Sequence, residues 1–142
     1  MRKRTFTMIA MVVLLGGLAL SARAQCSSGS SKANIPFQFN VAQTTLPAGE
    51  YTITCLRPES GLLLIRNKDQ SAGAAVLVVS VNGKVQDHGK LMFRRYGSQY
   101  FFAQAWTGGT KIGLELPKSR TEIATERKLG IKPKSDEIAV SH

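Results

Sequence analysis

Beyond residue 33 the chain is a succession of short apolar runs, each cut by turn residues before it reaches helix length. That pattern is the signature of an antiparallel β domain. Asn34 to Val41 alternates Ile35, Phe37, Phe39 and Val41 with Gln38 and Asn40, which predicts a half-buried strand. Pro36 within it suits a strand start or an edge. Leu46-Pro47-Ala48-Gly49 is a turn, and Glu50 to Arg57 alternates again through Tyr51, Ile53 and Cys55. Leu62 to Arg66 is a short apolar strand. Ala74 to Val81 is the most apolar run and predicts a central strand buried on both sides. Asn82-Gly83 is the strongest hairpin signal in the chain.

The stretch from Lys90 to Leu116 reads as a meander. Lys90 to Tyr96 and Gln99 to Thr107 form a hairpin around Gly97-Ser98, and Gly108-Gly109 turns the chain into Thr110 to Leu116. Two-residue turns at both places pair Arg94 with Phe101, Ala105 with Ile112, and Ala103 with Leu114. Met92, Phe101, Ala103, Ala105, Ile112 and Leu114 then share one face, predicted as core. Leu91, Phe93, Arg95, Tyr100, Phe102, Gln104, Trp106, Lys111 and Glu115 share the other. A one-residue slip would exchange the two faces.

Pro117 ends the meander. Ser119-Arg120-Thr121-Glu122 is a capping box, which predicts a helix over 119–129 that stops before Gly130. A helix this short must dock to persist, and Ile123, Ala124 and Leu129 are the apolar residues on offer. Residues 131–142 read as a polar tail with a short strand at 138–140. The expected fold is all-β. It is a single antiparallel β-sandwich or partly closed barrel of seven to eight strands over 34–130, with one short C-terminal helix.

The first 24 residues are an address rather than structure. Met1-Arg2-Lys3-Arg4 precedes an uncharged stretch from Met8 to Leu20, and Ala22-Arg23-Ala24 fits the small-residue rule for a signal peptidase cut after Ala24. The stretch is shorter than the roughly 20 residues of a membrane span, so no permanent transmembrane segment is expected. Gln25 before Cys26 argues against lipidation. The expected location is secreted or periplasmic, with residues 25–33 a Ser/Gly-rich flexible leader.

Export alters the charge argument. The full chain carries 19 Lys+Arg against 9 Asp+Glu, or +10, which by itself suggests nucleic acid. Arg2, Lys3, Arg4 and Arg23 leave with the signal, so 15 basic residues remain against 9 acidic ones, or +6. An exported domain meets anionic envelope polymers and glycans, and no nucleic-acid partner is expected. Export also allows Cys26 and Cys55 to form a disulfide. The alternative is a small buried Cys55 and a thiol at Cys26.

Catalytic signals are sparse. Ser98, His88 and Asp87 contain the residue types of a triad, but no nucleophile elbow accompanies them, and Asp87-His88 reads as turn chemistry. Cys26, Cys55, His88 and His142 lack paired metal-ligand spacing, so no metal is expected. No Gly-rich phosphate loop is present, and no cofactor is expected. Glu50, Glu59, Glu122 and Glu126 read as surface or cap residues. Glu115 stands apart because it falls on the aromatic face. Arg95, Tyr100, Trp106, Lys111 and Glu115 are therefore the candidate ligand-binding residues. Two readings compete for them: packing with snorkelling arginines, or a site for an anionic or sugar-like ligand.

Four segments carry a resemblance: Ile35 to Val41 (IPFQFNV), Leu46 to Ile53 (LPAGEYTI), Leu91 to Gly97 (LMFRRYG) and Leu116 to Glu122 (LPKSRTE). In that order the chain resembles a group of small secreted β-rich proteins of unknown function associated with Acidobacteria. The resemblance implies a secreted β domain and transfers no catalytic residue. The leading functional expectation is a non-enzymatic binding or structural module at the cell envelope. The alternative is a small hydrolase or carbohydrate-active protein, for which a concavity converging on Glu115, Arg95 and Trp106 would speak.

Overall fold

Pro36 has no amide proton to give a ladder, so the alternating run around it cannot remain in one sheet. In the computed structural model, which describes residues 29–57 and 60–141, the chain changes sheets there. Strand β1 (Ser30–Ile35) ends before Pro36, and β2 (Phe39–Val41) begins beyond it in the opposite layer. β1 pairs with β4 (Gly49–Arg57) from Ser30↔Thr54 to Ile35↔Gly49. The predicted flexible leader at 25–33 is thus corrected from Ser30 onward. Polar composition does not prevent pairing when a neighbouring strand offers a ladder and the register buries Ala33 and Ile35. The predicted signal segment and the rest of residues 1–28 lie outside the described residues.

The two layers form a sandwich that does not close into a barrel. One sheet has the order β1-β4-β5-β6, with β5 at Leu62–Asn67 and β6 at Gly73–Leu77. The path of the other starts with β11 (Lys134–Ala139), β8 (Lys90–Tyr96) and β9 (Gln99–Trp106). It continues through β10 (Ile112–Glu115) to β7 (Val79–Asn82). β2 pairs with β3 (Thr44–Leu46) and meets β9 in parallel at Asn40↔Phe101. At one margin the layers are joined by backbone bonds of 2.8 and 2.9 Å between Lys32 and Ser141.

The run Ala74–Val81 is not one central strand. It crosses between layers at the buried Val78, and both halves, β6 and β7, are edge strands. Leu77 is accordingly 64% exposed and Val79 48%. A continuous apolar run signals β structure but cannot say which strand it will be. Asn82-Gly83 makes no hairpin either. Gly83 N–H donates to Lys111 O at 2.8 Å, and Gln86 exchanges bonds with Thr110 and Gly109. The chain past Gly83 thereby runs beside the 109–111 segment, and the link from β9 to β10 opens beyond two residues. Leu114 faces Ala105 rather than Ala103, a shift of two residues that keeps each side chain on its face.

The β8–β9 hairpin follows the predicted turn, with Gly97 at φ +61 and Arg94 opposite Phe101. Past Phe93↔Phe102 the register slips, and Met92 faces Gln104. Ala103 is an extra residue, a β-bulge. The predicted core face is therefore overturned on the hairpin side of the bulge and holds beyond it, where Ala105 and Leu114 pack against the core. Leu91, Phe93 and Phe102 enter the main core with Ile35, Phe39 and Tyr51, and Phe93 meets the rings of Phe37, Phe39 and Phe102 edge-on at 5.1, 5.5 and 5.9 Å. On the opposite side Tyr96, Phe101 and Ala103 are also buried.

Helix α1 (Arg120–Leu129) starts and stops as its capping box dictates. Glu122 N–H donates to Ser119 Oγ at 3.1 Å, and Gly130 closes the helix at φ +63. The docking prediction is overturned. Ile123 and Ala124 face outward, Leu129 is exposed at the last turn, and the one buried helix residue is Glu122. The last strand is longer than predicted, because Lys134–Ala139 pairs along the whole of β8 from Arg95 to Lys90.

Candidate functional site

The bulge at Ala103 decides where the predicted site residues go. On its hairpin side, Arg95 and Tyr100 lie on the core face. Beyond it, Trp106 and Glu115 lie on the opposite face, since the inserted residue reverses the side-chain alternation. The five candidates are therefore not one site. Tyr100 stacks on Phe37 with centroids 3.8 Å apart, and the Arg95 guanidinium sits 5.9 Å from the Tyr100 ring. Arg95 Nε also lies 2.9 Å from Asp136 Oδ2, an ion pair across β8 and β11. Lys111 is exposed in the segment before β10.

Trp106 and Glu115 belong to a polar chain on the outer surface. Trp106 Nε1–H donates to Gln104 Oε1 at 2.9 Å, and Gln104 Nε2–H donates to Glu115 Oε1 at 2.9 Å. The indole lies flat over two glycines. A Cβ on Gly113 would come within 2.7 Å of the ring, and one on Gly83 within 2.6 Å. Gly83 is thus required by close approach rather than by turn geometry. A cavity of about 90 Å³ opens between the layers, lined by Ser31, Ile53, Cys55, Leu63, Leu91 and Trp106 among others. Neither Arg95 nor Glu115 reaches it, so the three residues of the hydrolase reading do not converge there.

The catalytic residue types are also apart. His88 Nε2 lies 3.8 Å from Glu137 Oε1, just before β8, whereas Ser98 is in the turn at the other end of that strand. The strand between them spans on the order of 20 Å. Among the described residues no three His, Cys, Asp or Glu side chains cluster as a metal site. No described cysteine is free, while Cys26 lies outside the described residues. No described helix is long and apolar enough to cross a membrane.

The most developed polar arrangement was not among the predicted residues. Glu122 is 2% exposed and accepts from Arg94 Nε at one carboxylate oxygen and from Arg94 Nη2 at the other, the latter at 3.1 Å. Tyr96 Oη–H donates to Glu122 Oε1 at 2.9 Å, and Arg94 Nη2 also donates to Leu116 O at 3.0 Å. Burial, then the hydrogen bond to Glu122, pushes the Tyr96 phenol above its usual range. Lys118 pairs with Glu126 at 2.9 Å, and that bond raises the lysine. Glu122 is thereby turned toward the body of the domain, and both acids of α1 are paired with a cation. Arg120, Arg127 and Lys128 remain on its exposed side. The sequence signal for this was the spacing of Arg120, Ile123, Ala124, Arg127 and Lys128, which marks one helical face.

Compared with protein-family models, curated proteins and solved structures, the chain matches none of them.

Proposed function

We propose that the exported chain is a non-enzymatic binding module of the cell envelope that adheres to anionic envelope polymers or glycans. The observation that carries this reading is the distribution of charge. Among the described residues, Glu50, Glu122, Glu126, Asp136 and Glu137 are each paired with a lysine or arginine. Lys32, Arg57, Arg66, Lys84, Lys111, Arg120, Arg127, Lys128, Lys132 and Lys134 have no carboxylate partner among those residues, against three carboxylates, Asp69, Asp87 and Glu115, that pair with no lysine or arginine there. The surplus of positive charge is therefore available to an external anion, and attraction of this kind is screened within about 10 Å at 0.1 M salt.

Export through the 1–24 segment and a Cys26–Cys55 bridge belong to the same reading. The bridge would tie the N-terminal leader to β4 in an oxidising compartment. The test is sedimentation of the 25–142 chain with envelope fractions over a salt series. Release as salt rises toward molar concentration is expected. Binding that is absent, or that salt leaves unchanged, overturns the adhesion reading.

A further inference from the structure

Resting on the electrostatic part of that reading, and replacing its polymer partner, we propose that the outward face of α1 is the contact surface and that its partner is an anionic lipid bilayer. Arg120, Ile123, Ala124, Arg127 and Lys128 follow the i, i+3, i+4, i+7, i+8 spacing of a single helical stripe. Three of its five residues are basic, so it belongs at the surface. It faces away from the sheets, and the helix is held from its other side by the Arg94–Glu122 pair. The ion pairs use up both acids of the helix and none of the apolar residues of the stripe.

Two properties of this surface bear on the partner. The first is charge complementarity. Arg120, Arg127 and Lys128 are followed by the exposed Lys132 and Lys134, with no acidic residue from Arg127 to Lys134. The second is apolar content: Ile123 on the stripe is 37% exposed, and Ile131 just past the helix is 42% exposed. A soluble polyanion engages the cations alone and leaves these side chains in water. A bilayer takes both, with basic residues at the headgroups and isoleucine at the acyl boundary. The observations therefore favour a lipid surface over a dissolved polymer.

The test is flotation of the 25–142 chain with vesicles of equal parts phosphatidylglycerol and phosphatidylcholine, with phosphatidylcholine vesicles and soluble polyphosphate as separate arms. Wild type is expected to float with the anionic vesicles only. The triple variant Arg120→Gln/Arg127→Gln/Lys128→Gln is expected to lose on the order of 100-fold in partitioning, from roughly fivefold per basic residue. The charge-matched control Arg57→Gln/Lys84→Gln/Lys111→Gln is expected to lose clearly less. Ile123→Ser is expected to weaken vesicle binding and leave polyphosphate binding unchanged. The Lys versions of Arg120 and Arg127 keep the charge and should restore binding, which separates charge from folding.

Equal losses in the two triple variants would overturn the proposal, because net charge alone would then be responsible. Indifference of vesicle binding to Ile123→Ser would overturn it in favour of a polyanion. Absent vesicle binding with salt-sensitive envelope binding intact would remove the lipid partner and leave the adhesion reading standing. Loss of both would remove that reading as well.

Discussion

Arg94 on β8 and Glu122 on α1 form a two-pronged ion pair, with the carboxylate 2% exposed and the arginine side chain 15% exposed. The helix has no buried apolar residue. This pair, together with the Tyr96 hydrogen bond to Glu122, is therefore its principal anchor. Removing one partner leaves the other charge buried. Glu122→Ala and Arg94→Ala should each cost about 3–5 kcal/mol. The Arg94→Met/Glu122→Leu double variant should recover much of that, because an apolar pair carries no stranded charge. Chemical denaturation of wild type, the two alanine variants and the Arg94→Ala/Glu122→Ala double variant closes a double-mutant cycle that measures the coupling directly.

Alkaline pH should destabilise the fold. Burial, then the Glu122 hydrogen bond, raises the folded-state pKa of Tyr96. Burial, then the Asp69 charge, raises that of Tyr51. A group whose folded pKa is raised contributes stability that is complete below its unfolded value. That contribution is lost as pH climbs through the folded value. The loss should begin above about pH 10, the ordinary tyrosine range. Phenolate absorbance titration, run beside thermal melts, should show two late-titrating tyrosines. Tyr96→Phe should leave one of them.

The glycines beneath Trp106 should resist substitution. Gly113→Ala puts a methyl group within 2.7 Å of several ring atoms at once, so the indole must shift and its bond to Gln104 Oε1 must lengthen. A loss of about 1–3 kcal/mol is expected for overpacking of this kind. Trp106 is the only tryptophan in the chain, so its fluorescence reports the displacement without interference.

The exposed margin of the sandwich should govern association at high concentration. From Ser71 to Gly83 the sequence has no charged residue, and this segment forms two consecutive edge strands with Leu77 and Val79 outward. Natural edges usually carry a lysine or proline. Leu77→Lys should change stability by no more than about 0.5 kcal/mol, since the side chain is exposed. It should lower concentration-dependent light scattering. Scattering equal to wild type would show that this margin does not self-associate.

Several features were legible because they depend on residues a few positions apart. The capping box placed α1 to within one residue at each end. The Gly97-Ser98 turn set the pairing of Arg94 with Phe101. The β class followed from alternation and turn spacing, with more and shorter strands than the seven to eight expected. The candidate site was less legible. Arg95 and Tyr100 were correctly taken as neighbours, but Trp106 and Glu115 were placed with them on a face they do not share. Glu122 was read as a cap residue, although its side chain binds Arg94 and Tyr96 on a distant strand.

The sequence by itself determined the β class, most of the strand positions, where the helix begins and ends, and that four of the basic residues fall within the first 24. Local steric and hydrogen-bonding preferences suffice for those. Only the tertiary structure decided which side of each strand is core. One extra residue at Ala103 reverses a strand's faces, and its position depends on how β9 must meet β8, β2 and β10 at once. The same holds for Gly83 and Gly113, whose missing side chains make room for an indole that arrives from another strand. It holds also for α1, where a buried charge pair from across the chain docks the helix and leaves its basic, apolar stripe facing outward.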